Sequence, residues 1–145
     1  MWAHCPRPRC APTQPRGARL HFSLPRNGLI EPWPVVTHYG CVWVNPPYSN
    51  GQVVLWAQKI AYEFGRGVWP IYALTSGDFS AAWFNLLWDA FSCCVLLNDR
   101  VPFIYPGETK PKPGSNFGNV VWGFTHDTPE FFNLFGDLGK RICQS

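Results

Sequence analysis

Cys41-Val42-Trp43-Val44-Asn45-Pro46-Pro47-Tyr48-Ser49-Asn50 is an apolar run that ends abruptly in two consecutive prolines. Residues 41–45 read as a buried strand. Proline has a fixed φ and no N–H to give a ladder, so the strand cannot continue past Asn45. The chain then makes a rigid corner in which Asn45 and Tyr48 are held in place. Directly after it the period changes. Val53, Trp56, Ala57, Ile60 and Phe64 recur at spacings of three and four, with Gln58, Lys59 and Glu63 on the other side. That pattern predicts an amphipathic helix, closed by Gly65 and Gly67.

The same alternation continues outward. Val68 to Leu74 reads as a second strand, with Pro70 predicting a bulge or a partly free edge, and Thr75-Ser76-Gly77-Asp78 as a loop carrying helix-capping residues. A second helix is expected over residues 79–91, with Phe79, Trp83, Leu86, Leu87 and Ala90 on one face. Residues 92–97 form a third strand and residues 101–105 a candidate fourth. A loop over 106–118, with three prolines and three glycines, leads into strand character at Asn119–Phe124. A short helix is expected near Pro129 to Phe135. Strand and helix in alternation predict an α/β fold whose sheet is mostly parallel, with helices on both faces and an antiparallel C-terminal end.

At 145 residues the chain fits one domain, expected over residues 20–145. Residues 1–19 are rich in Pro and Arg and form an irregular lead-in; Arg7, Arg9, Arg16 and Arg19 suit a solvated tail or phosphate contacts. Leu20 to Leu24 is a short apolar anchor, and Asn27-Gly28 is a turn by its chemistry. Aromatic residues make up 17% of the chain, most of them in apolar runs that suit core packing. A net charge of +3 permits contact with nucleic acid without arguing for it. The six cysteines include no CxxC pair, and adjacent Cys93 and Cys94 point to opposite faces of a strand. Free thiols in a reducing cytoplasm account for them. His4, Cys5 and Cys10 lack a fourth ligand at sensible spacing, so no metal is expected. No run approaches a membrane span, and none of the four histidines has a carboxylate at a triad-like spacing.

In open α/β sheets, ligands bind beyond the carboxyl ends of the strands, where the Asn-Pro-Pro-Tyr corner lies. An exocyclic amine on a base is a poor nucleophile because its lone pair is delocalised into the ring. Two acceptors, the Asn45 side-chain oxygen and the Pro46 carbonyl, can draw such an amine toward tetrahedral geometry and stabilise its developing charge. Tyr48 offers a flat face for a base taken out of its stack. Ser76 and Asp78, after the second strand, can line the pocket or simply cap a helix. Arg100, Lys110 and Lys112 can hold phosphate or be a solvated surface.

These residues carry a resemblance. The corner looks like the amino-acceptor motif of amino-methyltransferases, and the wider chain resembles the small bacteriophage-type DNA N-6-adenine methyltransferase family. The similarity runs from about Cys10 to Phe124. It takes in Asn27-Gly28-Leu29, Pro32-Trp33, Val42 to Ser49, Trp56, Lys59, Ala73 to Ser76, Trp83-Phe84 and Asp99 to Phe103. The resemblance implies a Rossmann-like fold, S-adenosylmethionine as methyl donor and adenine in DNA as acceptor, in the cytoplasm of a bacterial host. It also implies Asn45, Pro46, Pro47 and Tyr48 as the catalytic corner, and donor contacts at Cys10, Ala11 and Ser76. There is one departure. Where the family carries an acidic Leu-Asp-Pro-Cys-Ala-like segment, this chain reads Pro6-Arg7-Pro8-Arg9-Cys10-Ala11. Cytosine N4, an RNA base or a glutamine amide remain open as alternative acceptors, as does a non-catalytic remnant that binds nucleic acid.

Overall fold

The structure, a computed structural model, describes residues 27–33, 40–48, 51–102, 109–110 and 117–144. The expected strand is β1, Val42–Val44, and it stops at Asn45 because Pro46 and Pro47 have no amide to give. Gly51, at φ 67° and ψ 10°, turns the chain in the left-handed region and opens α1, Gln52–Gly65. β2, Ile71–Ser76, runs parallel to β1 with Val44 beside Ala73. Pro70 lies just outside β2 and makes no bulge. Its carbonyl accepts from the Val42 amide at 3.0 Å.

α2, Ala82–Ala90, starts three residues later than the spacing predicted. Asp78 Oδ1 accepts from the Ser80 amide and hydroxyl, making a side-chain turn that delays the helix. Phe79 is therefore outside α2 and 67% exposed, not part of its buried face. β3, Cys93–Leu97, and β4, Asn119–Phe124, come next. α3, Thr128–Phe135, starts at Asp127, whose side chain accepts from the Glu130 amide. A single 3-10 turn, Gly136–Leu138, leads into β5, Gly139–Cys143.

Sheet order is β1-β2-β4-β3-β5. Only β1 and β2 are neighbours in parallel; β2–β4, β4–β3 and β3–β5 are antiparallel. The expectation of a mostly parallel sheet is therefore corrected. The physical reason is β4. Its residues are buried throughout, and it inserts between β2 and β3, bonding to both. β1, β2 and β3 still point the same way, as strand–helix alternation requires, but β4 separates the second from the third. Val101 and Pro102, expected to start a strand, lie outside any strand, and residues 103–105 are not among those described. β5 was not anticipated. It reads Gly-Lys-Arg-Ile-Cys, and of these only Ile142 packs against the core.

Helices cover both faces, as expected. α1 and α2 pack over Val42, Val44, Ile71, Ala73, Val120, Trp122 and Phe124. α3 covers Tyr72, Leu74, Cys93, Val95 and Val121 with Phe131 and Phe135. Cys93 and Cys94 face opposite layers, and burial pushes both thiols up to about 12. Gly123 lets α3 approach the sheet: a Cβ there would meet the Phe131 ring at 2.7 Å and Cys93 Sγ at 2.9 Å.

Segment 27–33 is clasped to α1. Glu63, expected on the solvent side of the helix, is fully buried. Its carboxylate meets Lys59 Nζ at 2.6 Å and the Arg66 guanidinium at 2.6 Å, and accepts from the Trp33 amide at 3.2 Å. Lys59 reaches on to the Glu31 carbonyl, and Arg66 to that of Trp33. Burial alone would raise the Glu63 carboxyl, but these hydrogen bonds and the Lys59 charge outweigh it and hold the group below its ordinary value. The clasp explains why charged residues occupy an inward position.

Candidate active site

Because β1, β2 and β3 share a direction, their carboxyl ends gather at one rim with the amino ends of β4 and β5. The Asn45–Tyr48 corner, the Ser76–Asp78 turn and the segment from Leu97 to Val101 all leave the sheet there. Gly65 and Gly67 lie at the opposite end, where α1 runs into β2.

Tyr48 is what fastens the corner to the rim. Its hydroxyl oxygen accepts from the Ser76 amide at 2.7 Å, and its ring meets Trp83 of α2 edge-on at 6.4 Å. Burial pushes the Tyr48 hydroxyl up to about 12, against the opposing pull of the hydrogen bonds from the Ser76 amide and side chain. Part of the ring remains open to solvent, at 42% exposure. Pro46 is buried, Pro47 is exposed and Asn45 is half-buried. Among the described residues none hydrogen-bonds the Asn45 side chain or donates to the Pro46 carbonyl. The corner is thus tied at Tyr48, and at Asn45 and Pro46 no described residue occupies its acceptors.

Beneath it lies a polar network that the sequence pattern did not reveal. Thr75 Oγ1 accepts from Trp122 Nε1 at 2.8 Å and donates to the Ser76 carbonyl at 3.0 Å. Asn119 Oδ1 accepts from the Val101 amide, and its Nδ2 donates to the Thr75 carbonyl. The Gly77 amide donates to the Gly118 carbonyl at 2.7 Å. These bonds lock the ends of β2 and β4 and the segment after β3 into one frame. The available signal was a polar Asn119 opening an otherwise apolar strand. Asp78, which holds Ser80, serves the turn before α2.

The other expected positions are dispersed. Arg100 is exposed on the segment after β3, at the same rim. Lys110 is exposed, and Lys112 is not among the described residues. Ser76 is engaged with Tyr48 through its amide and side chain. Cys10 and Ala11 lie outside the described residues, as does the whole 1–19 lead-in. Of the expected donor contacts, only Ser76 is among the described residues. Among them no group of His, Cys, Asp or Glu could hold a metal ion, and no helix is long and apolar enough to cross a membrane.

Chemically, an amide oxygen and a neighbouring carbonyl that no described residue bonds, beside prolines and a partly exposed tyrosine, suit a planar group bearing N–H donors. A comparison with known families agrees in kind. A model of the family described as DNA N-6-adenine-methyltransferase (Dam) matches residues 15–130, most of the chain. No curated protein and no solved structure matches it.

Proposed function

The chain belongs to the DNA N-6-adenine-methyltransferase family, and from that premise we propose that its Asn45–Tyr48 corner receives adenine extruded from DNA and presents the N6 amine for methylation. The observation that carries this reading is the corner at the carboxyl end of a buried strand, where no described residue hydrogen-bonds the Asn45 side chain and the neighbouring tyrosine hydroxyl is tied to Ser76.

Adenine must leave the duplex before its amine can be reached. Tyr48 takes one face of the extruded base, a contact worth ~1–3 kcal/mol. Asn45 Oδ1 and the Pro46 carbonyl accept the two N6 hydrogens, one each. They localise the lone pair on nitrogen and stabilise the positive charge that grows as the amine attacks. Neither is a base, and the Tyr48 hydroxyl, pushed up to about 12 and already accepting a hydrogen bond, is not one either. The extra proton leaves for water once the N–C bond has formed, because a methylated adenine N6 cation is strongly acidic. Arg100 and Lys110 supply phosphate contacts that position the strand without reading sequence.

The donor implied by the family is S-adenosylmethionine, whose sulfonium would make the methyl group electrophilic and, as its S–C bond broke, would leave as the neutral thioether S-adenosylhomocysteine. Contacts to it are proposed at Cys10, Ala11 and Ser76 from the family resemblance. Of these, Ser76 is already engaged with Tyr48.

Incubating the full chain with donor labelled in the methyl group and with unmethylated DNA, then digesting to nucleosides, tests the reading. N6-methyladenine is the expected product; label in cytosine, or only in RNA or protein, would overturn it. Asn45→Ala should lower kcat at least ~100-fold, in line with loss of one transition-state hydrogen bond. Its melting temperature should hold, because Asn45 makes no side-chain hydrogen bond to a described residue. Activity retained in Asn45→Ala would make the corner structural only.

A further inference from the structure

We propose that Phe79 is a second stacking position, which takes the face of a nucleobase flanking the one seated at Tyr48; this rests on the function proposed above. Phe79 is 67% exposed, more than the Tyr48 ring itself. An exposed phenylalanine gives up most of the roughly 1.5–3 kcal/mol that burying such a side chain supplies. Its placement connects it to the corner. Tyr48 meets Trp83 edge-on at 6.4 Å, Trp83 meets Phe84 at 5.9 Å, and Phe84 meets Phe79 at 5.1 Å. The two middle rings are buried in the first turn of α2 and the two end rings are open. One row of aromatic contacts therefore presents two exposed faces from a single buried support.

The turn that carries Phe79 is fixed on both sides. Asp78 Oδ1 accepts from the amide and hydroxyl of Ser80, and the Ala81 amide donates to the Asp78 carbonyl. Before it, the Gly77 amide is bonded to the Gly118 carbonyl, and Ser76 to Tyr48. With the backbone held this way, only the ring's own torsions remain to be ordered when it stacks, and its edge contact with Phe84 restricts those.

The occupant is set by what the corner does. Removing one base from a strand deprives each flanking base of a stacking partner. A flanking base is planar, apolar on its faces and tethered to a backbone whose charge suits the exposed Arg100 on the same rim. Phe79 offers such a base a replacement partner without reading its identity, because every base has a π-face.

The test uses the full chain and short DNA containing adenine, with 2-aminopurine at the position next to it. Stacking quenches the 2-aminopurine. Binding is read by anisotropy and stacking by fluorescence intensity, for the wild type, Phe79→Ala, Phe79→Trp and Tyr48→Ala. Phe79→Ala should bind about tenfold more weakly and leave the flanking 2-aminopurine brighter. Phe79→Trp should restore both readings. The melting temperature should stay within about 2 °C for Phe79→Ala, since little of the ring is buried. Unchanged affinity and brightness in Phe79→Ala, with binding weakened in Tyr48→Ala, would overturn the second position and leave the corner standing. No DNA binding by the wild type, or none lost in Tyr48→Ala, would remove the corner reading and Phe79 with it. A change of oligomeric state in Phe79→Ala with DNA binding intact would instead assign the ring to a contact between copies, and also overturns the proposal.

Discussion

Tyr48→Phe separates the bond that holds the corner from the stacking proposed for that ring. The substitution removes one hydroxyl, which accepts from the Ser76 amide at 2.7 Å, and keeps the ring and its edge contact with Trp83. A net hydrogen bond is worth about 1 kcal/mol, and an amide left without a partner costs about 1–3 kcal/mol. Ser76 is buried but its bond to Tyr48 is only partly so, which favours the low end. A loss of about 1 kcal/mol lowers the melting temperature of a chain this size by roughly 3 °C. DNA affinity should change little, because stacking belongs to the ring. Turnover should fall about tenfold, because Asn45 is positioned by a corner now untied, and tenfold is about 1.4 kcal/mol of barrier. Tyr48→Ala should show the same loss of turnover plus a further affinity loss of roughly 5- to 100-fold from the missing stack. Calorimetric melting, anisotropy with a short DNA and single-turnover methyl transfer measure the three quantities. If Tyr48→Phe weakens DNA binding as much as Tyr48→Ala does, the hydroxyl contacts substrate and the division of labour is wrong. If its melting temperature is unchanged, the bond to Ser76 does not hold the corner.

Glu63→Gln should destabilise the fold by about 3 kcal/mol, since it leaves Lys59 and Arg66 beside a buried neutral group; urea melts would show it, and a loss under about 1 kcal/mol would refute the clasp. The same carboxyl has its folded value held below the ordinary 4.5. Its contribution is therefore complete above that value and disappears as pH falls through the lowered folded value. Wild-type stability should drop with acid across that window, and Glu63→Gln should drop less. Thr75→Val keeps shape but leaves Trp122 Nε1 without its acceptor in a fully buried place. A loss of about 2 kcal/mol is expected by denaturant titration, with slower turnover because the Ser76 carbonyl loses its donor too.

Local chemistry made much of this fold legible. Two prolines end β1 where they must, and the helical spacing of Val53 to Phe64 sets α1 to within a residue. Sheet order was not legible, because nothing in the order of elements says that Asn119–Phe124 slips between β2 and β3. An all-buried strand reads the same at an edge of a closed layer as at its centre. β5 was missed because its lysine and arginine face solvent and leave only Ile142 as a core signal. Glu63 was assigned to solvent by helical period alone. A Lys four residues before it and an Arg three after it were visible, and that spacing can neutralise an inward carboxylate. Phe79 failed in the opposite direction: it matched the helical spacing, but Asp78 and Ser80 formed a turn first.

The corner itself was legible as a position and not as a mechanism of holding. Asn-Pro-Pro-Tyr says that a rigid turn comes after a strand; it does not say what the tyrosine hydroxyl meets. That partner, the Ser76 amide, lies 28 residues away and becomes adjacent because β1 and β2 run parallel and β2 continues past the Val44–Ala73 pair to Ser76, alongside the corner. The consequence is chemical. A tyrosine is neutral at physiological pH, and burial, which pushes this hydroxyl up to about 12 against the opposing pull of the Ser76 hydrogen bonds, keeps it so. In the proposed reading its face is left for stacking, and the acceptors at Asn45 and Pro46 for the N–H groups. The parallel pair therefore does more than build a sheet edge. On the proposed reading it fixes the tyrosine ring beside Asn45 and Pro46, so that an amine is polarised there without being deprotonated.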